Sequence, residues 1–114
     1  MRQITKADWH VRVDQAVRHI MADIDNSIRL NELSAMLESS PYHFHRMFKK
    51  LTGESVRGCI RRLRLERAGY FLKTTDRKII DIALDSGFET PDSFGKIFKK
   101  LFTLSPSEAR LVPS

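Results

Sequence analysis

Residues 40–51 read SPYHFHRMFKKL and residues 90–101 read TPDSFGKIFKKL. A chain of 114 residues that repeats itself so early must adopt a fold that can be built twice from a small unit. Each copy opens with a hydroxyl residue and a proline, Ser40-Pro41 and Thr90-Pro91. The hydroxyl accepts a bond from an orphan helix N–H, and proline at the first helical position gives up a donor it did not need. Behind this start, Phe44, Met47, Phe48 and Leu51 recur at i, i+3, i+4 and i+7, as do Phe94, Ile97, Phe98 and Leu101. That spacing is one apolar face of a helix.

The remaining periodicities are also helical. Trp9, Val13, Ala16, Val17, Ile20, Met21 and Ile24 predict an amphipathic helix over 7–25 that ends near Asn26. Asn31 is the expected cap of a short second helix carrying Leu33, Met36 and Leu37. Thr52-Gly53 stops the third, and a longer helix runs from Ser55 to about Thr74, with Val56, Ile60, Leu63, Phe71 and Leu72 inward. Its arginines 57, 61, 62, 64 and 67 fall mostly outward. A short helix at 77–86 carries Ile79, Ile82 and Ala83, Gly87 makes a turn, and SPSE at 105–108 has the spacing of a capping box. No strand-like alternation occurs. The expected fold is all-α with about seven helices: a first subdomain over 1–54, a linker helix over 55–74 and a second subdomain over 75–114.

Charge then narrows the function. The net charge is +6, and it is uneven: residues 1–40 hold five Lys/Arg against six Asp/Glu, residues 41–114 fifteen against eight. Such a basic block fits a polyanion, either nucleic acid or an anionic membrane face, or else a solvated basic surface. No apolar run approaches the roughly 20 residues that cross a bilayer, and the N-terminus lacks the layout of a secretory signal. Cys59 is the single cysteine, so no internal disulfide forms, and a cytoplasmic location is expected. Cys59 and Trp9 read as core residues.

A short helix, a tight turn and a second helix with a polar, basic outer face is the layout of a helix-turn-helix. In that unit the first helix braces the second, which lies in the major groove of duplex DNA with its N-terminal residues at the base edges. The retained letters of the repeat are the inner face. The letters that change are the outer one: Tyr42, His43, His45 and Arg46 in the first copy, Asp92, Ser93, Gly95 and Lys96 in the second. One scaffold with two reading faces implies one asymmetric site read in two halves. The helix between them, about 20 residues at about 1.5 Å each, spans roughly 30 Å, close to the ~34 Å turn of B-DNA.

Arg46 is the leading base reader, because its planar fork grips guanine bidentately. Lys96 is its counterpart without the fork. Tyr42 and His45 either bond base edges, pack on thymine methyls or lie near the backbone, and His43 is a base-reading candidate on the same face. Ser93 falls on the reading face, and Asp92 either reads cytosine or favours the positive helix N-terminus. Ser40 and Thr90 are caps placed where phosphate contacts form. Lys49, Lys50, Lys99 and Lys100 are expected to neutralise phosphates.

The stretch from Val13 to Val112 resembles the DNA-binding domain of AraC/XylS-type transcription regulators. RMFKKLTGES, RLRLERAGYFL, IIDIALDSGF and FGKIFKKLFTLSPSEAR follow that family's pattern in order and spacing. The resemblance implies two helix-turn-helix subdomains joined by a linker helix and a double-stranded DNA partner. It also implies activation of transcription beside RNA polymerase. Two reading heads on one chain make a monomer on DNA the expected state. The chain departs from the pattern at Glu38, where the family carries glycine as at Gly87. Gly95 and Asp92 also depart from it, and they make the second head the weaker reader.

Other chemistries find no footing. His43 and His45 are two apart on a helix and diverge, and no cysteine or carboxylate cluster completes a zinc site. There is no glycine-rich phosphate loop, and no nucleophile pairs with a base. No metal, no cofactor and no enzymatic activity are expected. The competing reading is a helical module whose basic face meets an acidic protein or binds nucleic acid without sequence preference.

Overall fold

The computed structural model describes residues 5–113. Among them run seven α-helices and no strand: α1 Lys6–Ala22, α2 Leu30–Met36, α3 Pro41–Thr52, α4 Val56–Thr74, α5 Ile79–Asp85, α6 Pro91–Phe102 and α7 Pro106–Leu111. The all-α fold expected from the periodicities is the fold observed. The chain divides into two compact units, Met1–Ile60 and Arg61–Ser114, and the division falls inside α4.

In the first unit α3 packs on α1 and α2. Phe44 and Phe48 are fully buried, against a core that includes Trp9, Ala16, Ile20 and Leu33. Burying one such aromatic side chain contributes roughly 1.5–3 kcal/mol, so two of them hold α3 firmly. In the second unit α6 packs on α5 and α7, and Phe94 and Phe98 sit in a core with Leu65, Leu72, Ile82 and Ala109.

The duplication extends well beyond the repeated twelve residues. Val13, Ala16 and Ile20 of α1 correspond to Leu65, Ala68 and Leu72 in the second half of α4, and all six are buried. Leu33, Ser34 and Leu37 correspond to Ile82, Ala83 and Ser86, again all buried. At the far end, Val56 and Cys59 correspond to Pro106 and Ala109, buried in both. Ser55 caps α4 by accepting from the Gly58 N–H at 3.0 Å, as Ser105 caps α7 by accepting from Glu108 at 3.2 Å. So α4 plays two parts. Its first turns close the first copy and its remainder opens the second, which is why the division between units falls within it.

Several boundaries differ from the sequence expectation. α1 ends at Ala22, three residues earlier than expected, so Met21 is exposed and Ile24 lies beyond the helix, half-buried. Asn31 is not the cap of α2. Arg29 has the extended backbone a cap requires and makes no side-chain cap bond, while Asn31 lies in the first turn and its carbonyl accepts from Ser34 Oγ. Met36 is exposed, because a seven-residue helix offers too few turns for the apolar stripe assigned to it. Leu101 is exposed where Leu51 is half-buried. The helix expected over 77–86 is the shorter α5.

Capping was more accurately legible. Ser40 and Thr90 accept from the N–H groups of His43 and Ser93. Ser105 and Glu108 form the reciprocal capping box, and the backbone and hydroxyl bonds from Ser105 hold the Glu108 carboxyl below its ordinary range. Glu38 stands at φ 55°, in the left-handed region Gly87 occupies at φ 91°.

Candidate nucleic-acid interface

Each of the helices α3 and α6 is positioned the same way. A hydroxyl cap fixes its start, proline its first turn, two buried phenylalanines its inner face, and a left-handed residue its end: Gly53 for α3 and Thr103 for α6. From Pro41 to Lys50 and from Pro91 to Lys100 the sequence of buried, half-buried and exposed positions is identical, residue for residue. The two helices therefore turn the same face outward.

That face carries different chemistry in each copy. On α3, Tyr42, Arg46, Lys49 and Lys50 are exposed and lie at i, i+4, i+7 and i+8, one continuous stripe. Tyr42 is 73% exposed, a large aromatic left in solvent at the helix N-terminus. On α6 the same positions are Asp92, Lys96, Lys99 and Lys100, also exposed. The α3 stripe carries three cations and no acid. Asp92 offsets one of the three lysines on α6 and sits in the first turn, where the helix dipole favours an anion.

The flanking positions are more tightly held. His43 is exposed but meets Trp9 edge to face at 6.1 Å between ring centroids. His45 is half-buried and tilted against Phe44 at 5.5 Å. The Ser93 hydroxyl lies 3.0 Å from the Thr90 hydroxyl and donates to the Thr90 carbonyl at 3.1 Å. It is thus part of the cap that starts α6. Gly95 is not outward, as its place in the repeat suggested. It is half-buried, and a Cβ there would meet Pro106 Cδ at 3.9 Å. The start of α7 lies against this flank.

The arginines of α4 divide by neighbour. Arg62, Arg64 and Arg67 are half-buried: Arg62 bonds Glu66 at 3.0 Å and Arg67 bonds the Asp85 carbonyl at 3.0 Å. Arg61 remains exposed, with its guanidinium 5.9 Å over the Phe88 ring, and Phe88 in turn packs on Phe94 at 5.5 Å. This cation stands beside the turn that precedes α6, and the sequence reading assigned it no role. The signal was present in Phe88, an aromatic in a tight turn that gives a cation a surface to lie on.

A short helix bracing a capped, basic helix through a tight turn, twice over, is a paired helix-turn-helix. A family described as a helix-turn-helix domain matches residues 33–111. The chain belongs to the AraC-type family of helix-turn-helix DNA-binding transcription regulators. It is 30% identical over 98 residues to the regulatory protein SoxS of Escherichia coli (strain K12), covering 86% of this chain and 92% of that one. It is similar, with a TM-score of 0.84 and 25% identity, to the crystal structure of an AraC-type transcriptional regulator from Chromobacterium violaceum, covering 96% and 100% of the two chains. The DNA-binding domain of the global transcriptional factor AdpA, solved in complex with a target DNA, shares the fold, with a TM-score of 0.74 and 23% identity over 86% of this chain and 88% of that one. Other curated relatives of this AraC-type chain are longer, and it spans about a third of their length. SoxS and the Chromobacterium violaceum protein are regulators by name, and neither is named as an enzyme.

Proposed function

We propose that the chain is a sequence-specific duplex-DNA-binding activator that reads one asymmetric site with α3 and α6, each in its own major groove, about one helical turn apart. The observation that carries this reading is the identical outward face of the two helices combined with its different chemistry. A nonspecific clamp needs only the lysines; it does not need Tyr42 and Arg46 in one copy and Asp92 and Lys96 in the other. Within this reading Arg46 grips a base edge, with Tyr42 and His45 beside it, and Lys96 is the principal contact of α6. His43 and Ser93, held by Trp9 and by Thr90, position the helix starts as much as they read. Ser40, Thr90, Lys49, Lys50, Lys99 and Lys100 meet phosphates, and Arg61 joins them at the α5–α6 turn. Asp92 favours the start of α6.

By family likeness the partners are double-stranded DNA and RNA polymerase, the compartment is the cytoplasm, and one chain binds each site. The subdomain at 1–54, the linker helix and the subdomain at 75–114 then act as first head, spacer and second head.

Selection from a randomised duplex library at near-physiological salt tests the reading. Two dissimilar half-sites about one turn apart are expected. Enrichment of no sequence would overturn it, and one half-site alone would reduce α6 to a clamp. Arg46→Ala is expected to relax preference at one position, whereas Lys50→Ala weakens all duplexes alike and lowers the salt slope by about one.

A further inference from the structure

The second unit contains an open cleft of about 500 Å³ that the first unit's sequence does not reproduce. Its lining includes Gly69, Tyr70, Phe98, Phe102 and Leu104, with Lys73 at the rim. Gly69 is mid-helix in α4, where glycine costs roughly 1 kcal/mol against alanine. No steric demand explains it: a Cβ there would meet Phe98 at 3.9 Å, an ordinary contact. The corresponding residue of the first copy is Val17, a branched side chain where the second copy carries none. Phe102 and Leu104 replace Thr52 and Glu54, and Lys73 replaces Met21. Four lining positions thus differ between the copies: Gly69 lacks a side chain, Phe102 and Leu104 make the lining apolar, and Lys73 adds a cation.

We infer that this cleft is a binding site for a small amphipathic monoanion, an apolar body carrying one carboxylate. The volume lies in the range of small-molecule pockets, about 300–1,000 Å³. Phe98 and Phe102, 4.6 Å apart between ring centroids, and the exposed ring of Tyr70 present apolar walls. Glu66 also lines the cleft, but it pairs with Arg62 at 3.0 Å, which leaves the Lys73 ammonium to set the sign of charge at the opening. Thr74 directs its hydroxyl to the Tyr70 carbonyl and does not compete for the head group. Phe98 and Phe102 belong to α6, so an occupant rests against the inner side of the second reading helix.

The test uses the 114-residue chain, labelled with ¹⁵N, and two probes of equal length, sodium octanoate below its micelle concentration and octan-1-ol. Octanoate is expected to shift the amides of Gly69, Tyr70, Phe98 and Phe102 saturably. Lys73→Gln should weaken octanoate about threefold to fivefold and leave octan-1-ol unchanged. Gly69→Val, which installs the residue of the first copy, should weaken both; should that variant not fold, the Lys73→Gln comparison still decides. Shifts that are absent or scattered over the surface overturn the site. An equal response to both probes, unaltered by Lys73→Gln, overturns the anionic ligand. Concentration-dependent broadening of the same amides without any probe would assign the face to a second copy of the chain instead. No arm of the test involves DNA, so it stands apart from the reading of the duplex.

Discussion

Two single residues hold backbone that their side chains disfavour, and the duplication identifies both. Glu38 and Thr103 have positive φ, 55° and 67°; their counterparts in the other copy are the glycines Gly87 and Gly53. The left-handed region costs an L-residue roughly 1–2 kcal/mol, more for a β-branched one, offset in part by the chain entropy glycine loses on folding. Glu38→Gly and Thr103→Gly are each expected to stabilise by about 1 kcal/mol, Thr103→Gly the more, read as a rise in urea midpoint at unchanged m. Gly53→Ala should do the reverse. The strain at Glu38 was legible in sequence, because glycine occupies that turn in the second copy. The strain at Thr103 is hidden, because threonine is no usual helix terminator and only its counterpart Gly53, fifty residues earlier, marks the position as left-handed.

At the scale of elements, the ends of helices decide most. Arg110 of α7 donates to the carbonyls of Leu72, Thr75 and Arg77, at 3.0, 3.3 and 2.6 Å, and so satisfies acceptors at and beyond the C-terminus of α4. Charged hydrogen bonds of this kind contribute about 1.5–3 kcal/mol. Arg110→Ala is expected to cost about 2 kcal/mol in chemical denaturation, and Arg110→Lys to recover only part, since an ammonium lacks the fork that spans separate acceptors. The α7 capping box adds a pH dependence. The Glu108 pKa is lowered on folding, so its contribution is fully present above the ordinary glutamate value of 4.5 and is lost as pH falls through the lowered folded value. Ser105→Ala should return the Glu108 titration, followed by carboxyl NMR, toward 4.5. The box could be read from SPSE because all its partners lie within four residues. Arg110 could not, since its acceptors lie 33 to 38 residues away in sequence. The start of α2 was misplaced for a related reason: Arg29 caps with backbone alone, which leaves no side-chain signal.

At the scale of the molecule, the repeat that opened the sequence proved to be the most visible quarter of a longer one. The rest was hidden because the connections differ in length. Residues 23–29 join α1 to α2, whereas 75–78 join α4 to α5, and the turn before α6 is one residue longer than that before α3. The sequence offset therefore shifts from 52 to 49 to 50, and a search at one fixed period loses the flanking helices. Each unit has its own aromatic pair. Phe98→Ala is accordingly expected to cost about 3–5 kcal/mol and to remove amide-exchange protection from 61–114 ahead of the amides of α1 to α3. Protection lost evenly along the chain would contradict the division into units.

The double role of α4 also says how such a chain could grow. α7 stands where α4 stood in the previous copy, with the same serine cap and the same buried pair behind it, but it stops after six residues, whereas α4 runs on for nineteen. The first turns of α4 complete one tile and its later turns are already the floor of the next. A third tile would need no separate tether: elongating α7 past Leu111, with apolar residues at the spacing of Leu65, Ala68 and Leu72, would lay its foundation. Among the described residues two tiles share one helix.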